Sequence, residues 1–416
     1  MNKLISQYSG LKKEIYVLFV GKTVTAMGSF VWPMLTFFLT TKLGLSDGQA
    51  TFFIALATTV SLPASLLGGK IADKFSRKKV IILFDCLTVS LYVLAAIVPI
   101  GIHTAVMVFL AGLFQTIEGP AYDALNADFS TTEQRERAFS LSYLGFNLGF
   151  VVGASVSGIL FARHTNLAFL LNGVAIFTST VLIWIFVHME NAVGAGESTE
   201  ESYGIYEQPV DEHTPVLQVL KERRAVLYVL LIGCIASMAN NVTGIILPLQ
   251  LKERLGVEGA TIYGYLNSLN GFTVIVFTPI LTVLLKKITE IPKTLAGHSL
   301  FLMGMVFYSF DPAIWLLFVG MFIYTLGEVV TVLGSNPYSS RRIPASHRGR
   351  VGGISSVVYS AFQSLTQFGI SAVLTLTDNN YRLLWLSFIG IGVVACVLYA
   401  LVYKMDKRMF PVLYKT

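Results

Sequence analysis

The chain is 416 residues long, 54% hydrophobic and only 13% charged, with a mean hydropathy of +0.68. A soluble chain carries about 25% charged residues, so a soluble globular fold is excluded. The formal charge is +6, and the placement of the basic residues accounts for it without a nucleic-acid or acidic partner.

Met1 to Lys13 form a short polar, basic leader, and the apolar run behind it is too long for the h-region of a cleavable signal. About 20 apolar residues span a bilayer. Twelve such stretches are expected, near 14–41, 48–72, 79–99, 102–127, 137–162, 166–188, 224–252, 260–286, 292–310, 313–340, 348–376 and 381–404. With the N-terminus inside, 24 of the 30 Lys and Arg fall on the cytoplasmic side. Five fall outside (Lys42, Arg163, Lys252, Arg254 and Arg382), and Lys22 lies within the first segment. This is the asymmetry of the positive-inside rule. It implies a multi-pass protein of a bacterial-type inner membrane with both termini cytoplasmic. The fold class expected is all-α: twelve transmembrane helices in two six-helix bundles, 1–188 and 223–416. The linker at 189–222 carries eight acids and has the composition of a flexible connection.

The turn after the second segment reads Gly69-Lys70-Ile71-Ala72-Asp73-Lys74-Phe75-Ser76-Arg77-Lys78-Lys79. It closely resembles the G-x-L-A-D-R-x-G-R-K/R-x signature of the major facilitator superfamily of transporters, with Ser76 in place of the second Gly. The resemblance implies the two-bundle fold of that superfamily and a conformational latch. In it Asp73 faces the start of the eleventh helix, around Arg350 to Gly353, and Arg77 pairs with Asp128. A carboxylate at a helix N-terminus is favourable in any case, because of the helix dipole.

The fourth segment holds Gln115, Glu118 and Asp123. Exporters of the superfamily usually carry an Arg where Gln115 stands, so no mechanism that relies on it carries over. The fifth segment reads Asn147-Leu148-Gly149 and continues through Gly153 to Gly158. It resembles the G-x-x-x-G-P-x-x-G-G exporter pattern, with Ala154 for the Pro and Ser157 for one Gly. Small residues at this spacing also allow close helix packing. The two halves look duplicated. Phe30 to Pro33 and Lys42-Leu43-Gly44 match Ile246 to Pro248 and Arg254-Leu255-Gly256, and Arg135 to Ala138 matches Arg348 to Val351, at offsets of 212 to 215. In the tenth segment, Tyr324-Thr325-Leu326-Gly327-Glu328 resembles proton-driven multidrug exporters, where an acid after Gly contributes to the cavity.

An ionisable side chain at a helix centre costs ~2.5–3.5 kcal/mol on insertion scales, so its retention marks a use or a partner. The candidates for proton coupling or substrate contact are Glu328, Glu118, Asp123 and Lys22. At ~1.5 Å per residue, Lys22 lies about 12 Å in from Glu14, and Glu118 and Asp123 about 15 and 8 Å from Asp128. A Lys22–Glu118 or Lys22–Asp123 pair is compatible with these depths. The six histidines scatter over loops and helix ends without an H-E-x-x-H motif, and Cys86, Cys234 and Cys396 show no metal spacing. The function expected is proton-coupled antiport, exporting lipophilic or cationic small molecules by alternating access. The partners are the substrate, protons and the bilayer, and neither a cofactor nor a second subunit is required. A carrier of lipid, sugar or metabolite is the alternative; an enzyme or a receptor is remote.

Overall fold

The computed structural model describes residues 8–191, 211, 214–310 and 313–414, and no strand occurs among them. Most of the expected linker, including its acids at Glu197, Glu200, Glu201, Glu207 and Glu212, lies outside the described residues. The first half comprises α1 (Lys13–Met27, continued by Leu35–Phe37 and the π-helical Phe38–Lys42), α2 (Asp47–Lys74), α3 (Arg77–Ile97), α4 (Ile102–Asp128), α5 (Thr132–Arg163) and α6 (Thr165–Phe186). The second comprises α7 (Arg224–Asn240 and Thr243–Leu255), α8 (Glu258–Leu284), α9 (Glu290–Ser309), α10 (Ile314–Arg342), α11 (Ala345–Leu376) and α12 (Tyr381–Met409).

Among the described residues, ten helices are long and apolar enough to cross a bilayer, α7 counting as one across its break. The remaining two of the twelve expected spans, α1 and α9, are helical but fall short of that measure. In α1 an irregular stretch over 28–34 includes Pro33, which has no N–H for the helical ladder. In α9, Glu290, Lys293 and His298 lower the hydropathy. Large apolar side chains point outward along several helices, Leu376 being 84% and Val283 75% exposed. A bilayer, not water, is the solvent that such a surface fits.

By their contacts the residues form two compact units. One holds α1 to α6 together with Pro248–Phe272, and the other holds the first part of α7, the remainder of α8 and α9 to α12. In the first unit, α2 starts with a capping box, Gln49 N–H donating to Ser46 Oγ at 3.2 Å and Ser46 N–H to Gln49 Oε1 at 3.0 Å. Asp47 in its first turn is paired with Lys252 at 2.9 Å. Helix α5 lies hard against α1, because a Cβ on Gly149 would meet the Thr23 carbonyl oxygen at 2.2 Å. Farther along, the Ser155 and Ser268 hydroxyls are 2.6 Å apart. In the second unit α9 and α10 meet as closely: a Cβ on Gly327 would lie 2.6 Å from the Gly297 carbonyl oxygen.

Both units are clasped at one end by ion pairs of the same design. Arg77, at the start of α3, pairs with Asp128 at the end of α4. Glu290, at the start of α9, pairs with Arg341 at 2.7 Å and Arg342 at 3.2 Å, at the end of α10. Glu290 follows Arg77, and Arg341 follows Asp128, by the same 213 residues. The duplication expected from sequence therefore extends to this clasp, with its charges exchanged. The second clasp is the more buried. Arg342 is fully enclosed and also bonds Asp406, from Nε to Oδ1 at 2.9 Å and from Nη2 to Oδ2 at 2.8 Å.

Candidate functional site

In the first unit, three apolar helices each bring ionisable side chains to one region. Lys22 lies on α1, Asp85 on α3, and Glu118 and Asp123 on α4. The three carboxylates all lie within electrostatic reach of Lys22, and Glu118 also feels Asp85 and Asp123. The Lys22 ammonium rests 4.9 Å from the centre of the Tyr122 ring, a favourable cation–π placement. Tyr122 in turn donates from its hydroxyl to the Leu18 carbonyl at 2.7 Å, bracing α4 against α1. Asp85 is buried and accepts a 2.7 Å hydrogen bond from the Thr180 hydroxyl on α6. Pro120 lies between the two acids of α4, and it leaves the Thr116 carbonyl without its ladder donor.

The accessibility of the four differs in a useful way. Asp85 is enclosed, Lys22 and Glu118 are half-buried, and Asp123 is exposed. Three acids against one base leave an excess of negative charge when all are ionised. Acids this close to one another titrate as a group and not as separate side chains. Among the described residues, no three His, Cys, Asp or Glu converge closely enough to hold a metal ion. The charge is spread over α1, α3 and α4.

Asp85 is absent from the residues singled out in the sequence. The signal that finds it is the one that finds Glu118, a lone acid in an apolar span. Glu328 lies half-buried on α10, in the second unit. The residues expected to form a latch lie at the clasped end of the first unit. Asp73 is exposed at the end of α2, Arg77 and Asp128 are bonded, and Gly69 borders open space, with no atom within 4 Å of where a Cβ would stand. Gly149 and Gly153 face α1, and Gly158 faces Ala260 at the start of α8. One expectation is corrected: His298 is not at a helix end but inside α9, 6% exposed and stacked 5.3 Å from Tyr399.

The family model of the Major Facilitator Superfamily matches residues 18–367. A "Na(+), Li(+), K(+)/H(+) antiporter" of Planococcus maritimus is 24% identical over 366 residues, covering 82% of this chain and 84% of the relative. The "Multidrug resistance protein MdtH" of Yersinia pestis is 25% identical over 263 residues, covering 63% of this chain and 62% of the relative. The solved structure of the POT family transporter PepTSo is similar with a TM-score of 0.76 at 14% identity, over 95% of this chain and 98% of that one, which is a likeness of fold.

Proposed function

This chain belongs to the Major Facilitator Superfamily, whose members are membrane transporters and not enzymes, and we propose that it is a proton-coupled antiporter that exports organic cations by alternating access. The observation that carries the reading is the group of Lys22, Asp85, Glu118 and Asp123 on three apolar helices. Protons and a cationic substrate compete for the same excess of negative charge. A cation entering from the cytoplasm or the inner leaflet occupies the carboxylates. Protons arriving from outside neutralise them and release it. One proton moving inward gains ~2.3 kcal/mol per 100 mV, before any pH gradient.

The names of two relatives support the cation and the exchange, one a cation/proton antiporter and one a multidrug resistance protein. The spread of the carboxylates favours an organic cation over a caged metal ion. Glu328 is the second acid in the scheme, and Asp73, with the Arg77–Asp128 pair, is the latch that sets the rate of switching. The termini are cytoplasmic, and a single copy suffices.

The test is proton movement in energised everted vesicles, followed by a pH-sensitive dye. Tetraphenylphosphonium or ethidium releases protons from vesicles carrying the wild type, and Asp85→Asn and Glu118→Gln abolish the release. Release by Na+, Li+ or K+ alone would replace the organic substrate with an inorganic one. Loss in Glu328→Gln with both first-unit variants active would move coupling to α10. No response to any cation would end the antiport reading.

A further inference from the structure

Lys22 sits among three carboxylates without pairing with any of them. All three lie within electrostatic reach of its ammonium. Yet among the described residues none stands at ion-pair distance, and the pairs with Glu118 and Asp123 that the helix depths allow are not formed. The ammonium rests instead over the Tyr122 ring, 4.9 Å from its centre. A base in an apolar span ordinarily takes an acid as its partner, because attraction between full charges grows as the surrounding dielectric falls. The face of an aromatic ring attracts a cation more weakly.

The ring is the fixed member of this contact. Tyr122 is 7% exposed, and its hydroxyl donates to the Leu18 carbonyl at 2.7 Å. Helix α1 closes on it at Gly21, where a Cβ would lie 2.7 Å from Ser179 Oγ and 3.5 Å from the Tyr122 hydroxyl. The lysine is the mobile member, half-buried and carried on a flexible four-carbon stem. Glu118 precedes Tyr122 by four residues on α4, so the two share one helix face. About one helical pitch, ~5.4 Å, separates their places along the helix. Asp85 is placed differently, because the Thr180 hydroxyl already partners it at 2.7 Å.

We propose that Tyr122 is a positioning residue: its ring parks the Lys22 ammonium off the carboxylates and so keeps their negative charge open to a cationic substrate. The inference rests on the antiport reading of this same group. Tyr122 does not touch the substrate; it acts through Lys22. Released from the ring, Lys22 becomes a tethered competitor. Its ammonium cannot diffuse away, and at the high effective concentration of a tethered group it occupies Glu118 or Asp123 in place of the substrate.

The experiment is equilibrium binding of radiolabelled tetraphenylphosphonium to the full chain in lipid nanodiscs, at one pH and with no proton gradient. Wild type binds it saturably. Tyr122→Leu weakens binding about three- to tenfold, the range of one cation–π contact, because Lys22 is released onto the acids. Adding Lys22→Met to Tyr122→Leu restores the affinity, and Tyr122→Phe, which keeps the ring, does not show the loss. A purely structural role for Tyr122 gives a loss that persists without Lys22. Thermal unfolding checks that each variant is folded, and Tyr122→Met, with its adaptable side chain, replaces Tyr122→Leu if that variant unfolds. Unchanged affinity in folded Tyr122→Leu, or a loss that Lys22→Met does not repair, overturns the proposal and leaves the antiport reading standing. No saturable binding to wild type overturns both. The expected pattern without cation-driven proton release in vesicles ends the antiport reading and upholds the role of Tyr122 in cation binding.

Discussion

Arg342 has no contact with solvent and is enclosed by Asp406, Glu290 and the ring of Tyr338, 4.2 Å from its guanidinium carbon. Burial and the hydrogen bond to Asp406 hold the Tyr414 phenol above its ordinary range. Removing one partner of a buried ion pair costs about 3–5 kcal/mol, because the other charge is stranded, whereas replacing both with apolar groups is often neutral. Arg342→Met should therefore lower the unfolding temperature of the purified protein sharply, and Arg342→Met with Asp406→Leu should regain most of it. If the double variant is no better than the single, the pair is not what holds this end. At this scale the sequence is informative wherever a charge interrupts an apolar run, which is how Lys22, Glu118 and Asp123 are found. Asp85 follows the same rule, but it lies eight residues beyond Arg77, near enough to the basic turn to read as part of it. His298 escapes for another reason: its burial comes from the neighbours folded around it, Tyr399 among them, and no spacing in the sequence announces them.

Between helices, contact distance decides which glycines matter. Gly149→Ala drives a methyl into the Thr23 carbonyl, 2.2 Å away, whereas Gly69→Ala places one in open space. The first should reduce folded yield and unfolding temperature. The second should leave both unchanged or slightly raised, since Ala is favoured over Gly in a helix by ~1 kcal/mol. Equal effects would mean that α5 does not depend on this approach. The clasps allow a complementary test. Arg77→Asp alone sets two acids against each other, and Arg77→Asp with Asp128→Arg rebuilds the arrangement found at Glu290 and Arg341. The pair is partly exposed, at 32% and 21%, so the stability change is about 1 kcal/mol or less. Its sign is what counts, lost in the single variant and recovered in the double. The helices themselves are legible in the sequence because twenty apolar residues have few other uses. The break in α1 is less so: Pro33 gives the place but not the π-helical continuation over Phe38–Lys42.

For the molecule as a transporter, the proposed latch should separate rate from affinity. Asp73 is exposed near the end of α2 and is not one of the carboxylates proposed to hold the cation. Asp73→Asn should lower the maximal rate of cation-driven proton release and leave the half-saturating concentration unchanged. A shift in half-saturation with an unchanged rate would place Asp73 in the substrate path instead. The helical, two-bundle plan is readable from hydropathy and charge bias alone. The equivalence of Asp85 and His298 is not, because it emerges only when the 213-residue offset is anchored on the bonded clasps and then followed inward.

The exchanged signs of those clasps also bear on how such a chain assembles. A polypeptide that contains two copies of one plan risks docking a hairpin of one copy onto the other during synthesis, a characteristic failure of repeat proteins. Here α3 offered to the wrong partner would set Arg77 against Arg341, and α9 would set Glu290 against Asp128. Both errors bring like charges together, and both correct pairings bring opposite ones. The inversion thus sets a like-charge penalty against each cross-pairing of the duplicates, the kind of repulsive element that specificity uses.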